Sequence, residues 1–94
     1  MVMNIDQKIK LLCRWLRIWR IEKGLTQEQV SFATGVIVSN FENGRCEPRL
    51  KTLLIVCDFY GLSLEWMLGA LRDISDDKLS DVDLIKITRE IART

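Results

Sequence analysis

Gly24-Leu25-Thr26-Gln27-Glu28-Gln29-Val30, Ala33-Thr34-Gly35-Val36, Ser39-Asn40-Phe41-Glu42-Asn43-Gly44 and Pro48-Arg49-Leu50 follow one another in the middle of this chain. Their punctuation is helical. Thr26 and Gln29, three residues apart, form a capping box that opens a helix, and Thr34-Gly35 closes it. A second, short helix lies within Val36–Asn43 and stops at Gly44, and Pro48 precedes or opens the next. Two short helices separated by a tight glycine turn, with a third helix close behind, make up the central unit.

Outward from this stretch the same signals continue. A helix is expected from about Ile5 to Lys23, ended by Gly24, and the helix after Pro48 runs to Tyr60 and stops at Gly61. Ser63 caps a fifth helix that ends near Gly69, and Ser80-x-x-Asp83 opens a last one that reaches about Ala92. The pattern is all-α: five helices within residues 1–72, then a linker and amphipathic helix within 73–94. That last helix is either part of the same folded unit or an oligomerisation element.

Periodicity supplies the core. Ile9, Leu12, Leu16 and Trp19 recur at three- and four-residue steps along the first helix. Val30, Phe41, Leu50, Leu53, Leu54, Cys57, Leu62, Leu64 and Leu68 are expected to complete it. The first helix also carries a second apolar stripe, Leu11, Trp15 and Ile18, joined by Ile21, and a helix apolar on two sides must bury both. Leu84, Ile87 and Ile91 form a matching stripe on the last helix, so the two sets are expected to meet as a helix-packing patch or a dimer interface. Phe32, where its helix is expected to carry an exposed charged residue, adds to this apolar excess.

Composition narrows the function classes. With 94 residues, the chain accommodates one core. Its net charge of +1 hides an asymmetry, because residues 1–51 carry nine Lys/Arg against five Asp/Glu and residues 52–94 carry five against eight. A basic front half suits a surface turned toward phosphates. No run is long and apolar enough to span a bilayer and no secretory pattern opens the chain, so no membrane partner is expected and the location is expected to be cytoplasmic. Three widely spaced cysteines and no histidine suggest neither a disulfide framework nor a metal site. Cys13 and Cys57 sit on apolar stripes, whereas Cys46 lies in a loop. No phosphate-binding glycine loop and no nucleophile–base motif points to an enzyme or a cofactor.

In order and type, these anchors resemble the lambda-repressor-like (Cro/Xre) helix-turn-helix family over roughly residues 12–70. The resemblance implies a five-helix DNA-binding domain, here with an appended C-terminal helix, that lays its third helix in the major groove of double-stranded DNA as a homodimer. It implies a structural ion pair between Arg20 and Glu42. It also implies phosphate contacts from Gln27, Asn43, Arg45 and Arg49, and base reading by Ser39 and Asn40. Each contact residue has a plainer alternative: Gln27 as a solvated first-turn residue, Asn43 as a helix cap, Arg45 and Arg49 as surface charges.

One departure from the family stands out. Between Gly35 and Glu42 the chain is three residues shorter than the family pattern, and the shortfall falls in the first turn of the reading helix. Val36-Ile37-Val38 remain there, able to touch thymine methyls but not to form a bidentate hydrogen-bond pair. The function expected is a sequence-specific transcriptional regulator. The alternative is a degenerate helix-turn-helix that serves as a protein-interaction module.

Overall fold

A computed structural model describes residues 4–73 and 80–92. It contains six helices and, among the described residues, no strand: α1 (Ile5–Glu22), α2 (Gln27–Thr34), α3 (Ser39–Glu42), α4 (Leu50–Tyr60), α5 (Leu64–Asp73) and α6 (Asp81–Ala92). The linker expected after residue 72 falls largely outside the described residues. Among the described residues, no single helix is long and apolar enough to cross a membrane.

Local chemistry sets most boundaries. Asn4 caps α1 through its side chain, and Gln7 reaches back to the Asn4 N–H at 2.8 Å. The Thr26 capping box on α2 and the Ser80–Asp83 box on α6 both form. Hydrogen bonds from the Ser80 backbone and hydroxyl hold the Asp83 carboxyl below its ordinary value. Gly35 and Gly61 end α2 and α4 at φ 77 and 74°, where a side chain would be strained. The exception is Gly69, expected to end the fifth helix. It lies inside α5, because the following turn carries Leu71 into the core at 4% exposure.

α1 is the central element and buries two faces. One, with Leu12, Leu16 and Trp19, joins Val30, Phe41, Val56, Cys57, Tyr60, Leu64 and Met67 in the main core. The other, with Leu11, Trp15 and Ile18, is covered by α6, whose Leu84 is fully buried while Ile87 and Ile91 are half-buried against the cluster. Trp15 Nε1 donates to Thr88 Oγ1 at 3.0 Å, and the Thr88 hydroxyl donates to Leu84 O, so the two polar groups buried in this seam satisfy one another. Arg14–Asp81 and Glu22–Arg89 close its two ends, which makes α6 run parallel to the second half of α1. Of the two uses expected for the last helix, packing within the chain accounts for its buried side chains.

Several core expectations are corrected. Leu50 and Leu54 are 65 and 51% exposed. The inward line of α4 is Leu53, Val56, Cys57 and Tyr60. Leu54 falls one position off that line, and Leu50 sits a turn before it begins. Leu68 is 49% exposed because Leu64, Met67 and Leu71 take the inward positions of α5. Ile21 is 49% exposed although it precedes the Glu22–Arg89 pair that closes the seam, and Phe32 is exposed as well. Trp66, half-exposed, stacks at a tilt on Trp15 with ring centroids 5.8 Å apart.

Candidate functional site

The α2–turn–α3 unit is fixed from behind. Arg20, on α1, directs Nε and Nη2 at the Glu42 carboxylate, with the shortest contact 2.9 Å, and donates from Nη1 to Leu25 O. Both side chains are nearly inaccessible, so the pair is tightly held and intolerant of losing either partner. Gln27 Nε2 joins it, donating to Glu42 Oε1 at 3.0 Å. One carboxylate therefore gathers α1, the start of α2 and the end of α3. Behind this pair, burial and then the Glu42 charge push the Tyr60 phenol well above its ordinary range, against the opposing effect of Arg20.

The turn itself is braced by Thr34, whose hydroxyl donates to Val30 O at 2.7 Å and accepts from Val36 N at 3.1 Å. α3 is a single turn. Val38, at its N-cap, offers no side-chain acceptor, and valine and isoleucine just before it do little to extend a helix. Val38, Phe41 and Glu42 point inward at i, i+3 and i+4, and Val38 is fully buried. Ile37 and Asn40 occupy the opposite side: Ile37 is 61% exposed and Asn40 is also exposed.

This geometry corrects the expected apolar tip. Of Val36-Ile37-Val38 only Ile37 faces outward, since Val36 is half-buried and Val38 belongs to the core. Asn40 stands clear, while Ser39 is half-buried. Gln27 is placed at the start of α2 but its amide is turned onto Glu42. That bond uses one of the two N–H groups of the amide.

Asn43 is exposed and its Oδ1 accepts from Arg45 N at 3.1 Å, which folds the loop and leaves the amide nitrogen as the available donor. Cys46 N donates to Asn40 O, so this loop is laced to α3. Arg45 and Arg49 are both exposed, and neither is in an ion pair among the described residues.

The structure adds one residue to the expected set. Arg17, exposed on α1, borders the same surface depression as Thr26, Gln27 and Glu28. Its signal in the sequence is its place one turn before Arg20, which puts both arginines on one side of α1. Arg14, a further three residues back, is engaged with Asp81.

A second cleft, between α1 and the loop after α3, is lined by Lys10, Cys13, Asn43, Cys46 and Glu47 among others. Burial first, then the charges of Glu47 and Glu42, push the Cys13 thiol up to about 11, and burial does the same to Cys57, so both stay protonated at neutral pH. Among the described residues, no group of three or more His, Cys, Asp or Glu side chains is arranged to hold a metal ion.

A family model described as "Helix-turn-helix" matches residues 16–67, more than half of the chain. No curated protein and no solved structure matches it.

Proposed function

The chain belongs to the helix-turn-helix family of the Cro/Xre type, a family of DNA-binding domains, and from that premise we propose that it is a sequence-specific transcriptional regulator acting in the cytoplasm on double-stranded DNA. The observation that carries this reading is the division of α3 and the two residues before it into an anchored rear and a free front. Val38, Phe41 and Glu42 lock the helix down, and Ile37 and Asn40 face outward beside the Asn43–Arg45 loop. Asn40 supplies the amide suited to adenine and Ile37 an apolar surface for a thymine methyl. Gln27, Arg17, Asn43, Arg45 and Arg49 grip the strands on either side, and these contacts set register rather than sequence.

A one-turn reading helix samples few base pairs, so two copies related by a two-fold axis, set about one DNA turn apart, are the form proposed to act. The α1–α6 seam is already filled within the chain, so the dimer uses another surface.

The test is a binding titration against mixed-sequence duplex DNA at two salt concentrations. Affinity should fall steeply as salt rises, and Arg45→Ala or Arg49→Ala should weaken binding to every sequence. Asn40→Ala should instead change the preferred sequence while leaving nonspecific affinity in place. Absence of binding at low salt would sink the DNA reading and favour the protein-interaction module, for which the shortened α3 is the supporting observation. Sedimentation of the free protein and of the complex checks the stoichiometry separately.

A further inference from the structure

The first half of α1 and the outer side of α5 enclose an apolar groove. Ile9, Leu12 and Leu71 form its floor, and Ile5 and Leu68 its walls. Both wall residues are open to solvent, at 69 and 49% exposure. Lys8 and Arg72 stand on the rim, and neither is in an ion pair among the described residues. Among the described residues, no carboxylate lines the groove. A slot between two helices with an apolar floor matches the way an amphipathic helix is received by a protein groove. Its two cations select the flanking charge of what enters.

We infer that this groove is a docking site for an acidic amphipathic helix of a partner protein, with apolar residues at i, i+3, i+4 and i+7 between carboxylates. A second copy of the chain docking groove to groove is the poorer occupant. It would set Lys8 and Arg72 near their own counterparts, and like charges across an interface oppose association. None of Asn40, Arg45 and Arg49 lines the groove.

The experiment uses the full chain and two fluorescent helical peptides of identical leucine pattern, one flanked by glutamates and the other by lysines. Anisotropy should show the glutamate peptide binding at least ~10-fold tighter than its lysine twin, with the difference shrinking as salt rises from ~50 to ~200 mM. Leu68→Glu should abolish binding. Lys8→Glu combined with Arg72→Glu should reverse the preference in favour of the lysine peptide. All three positions are at least partly open to solvent, and circular dichroism checks that each variant folds.

DNA affinity of Leu68→Glu should be unchanged, which separates this proposal from the DNA reading. Equal binding of both peptides, binding unaffected by Leu68→Glu, or no binding would overturn the proposal. So would self-association of the free chain that Leu68→Glu removes, because a second copy would then fill the groove.

Discussion

α1 is joined to α3 through Arg20 and Glu42, and to α6 through Arg14–Asp81 and Glu22–Arg89; the same guanidinium–carboxylate chemistry appears in two settings. In the first, the side chains are 9 and 1% exposed, and the remaining hydrogen-bonding groups reach Leu25 O and Gln27. In the second, exposures run from 25 to 67%, and the pairs flank an apolar seam built on Trp15, Ile18 and Leu84. The buried pair anchors α3, because separating its charges would leave both unpaired in the interior. At the α6 seam hydrophobic burial holds the helices, each fully buried side chain contributing on the order of 2 kcal/mol, and the charges merely border it. The first contact lies inside the family match, whereas of the second only Glu22 does, since Arg14 and α6 fall outside residues 16–67.

That contrast can be broken at several points. Glu42→Ala strands the Arg20 guanidinium in the interior and should cost about 3–5 kcal/mol in chemical denaturation, with DNA binding lost well before unfolding because α3 is released. Leu84→Ala should cost about 2–4 kcal/mol and expose the Trp15 side of α1, seen as a red shift in tryptophan fluorescence. Thr88→Val keeps the shape but leaves Trp15 Nε1 buried without an acceptor, so a loss of about 1–2 kcal/mol is expected in the same melt. Arg89→Gln should change stability by less than about 1 kcal/mol, and less still at high salt. If Arg89→Gln matched Glu42→Ala, the distinction between the two settings would collapse.

Much of the fold is legible from residues near one another in the chain. Thr26 with Gln29, Ser80 with Asp83, and the glycines at 35 and 61 mark helix ends because they act on backbone groups within a turn of themselves. Legibility fails where a side chain has to choose among distant neighbours. Leu50, Leu54 and Leu68 look like core residues by type and spacing, yet the faces of α4 and α5 they occupy are left open to solvent. Gly69 looks like a stop, yet Leu71 draws the helix on.

The candidate site divides along the same line. Arg20, Glu42, Asn40, Asn43, Arg45 and Arg49 are nameable from family resemblance. Arg17 is not, since its relevance comes from its position beside the start of α2. The inward turn of Val38 and the engagement of Gln27 by Glu42 are likewise absent from any local pattern, for both depend on α3 being seated by α1.

What the amino-acid order determines alone is the number of helices, nearly all their ends, the all-α class and the shortened third helix, because capping, glycine conformation and apolar period are local properties of the backbone and its nearest side chains. Tertiary structure alone decides that the second stripe of α1 is covered by α6, that Ile37 just before α3 and Asn40 within it face outward, and that an apolar groove stays open between α1 and α5. Those outcomes depend on which surfaces, far apart in the chain, can exclude water together.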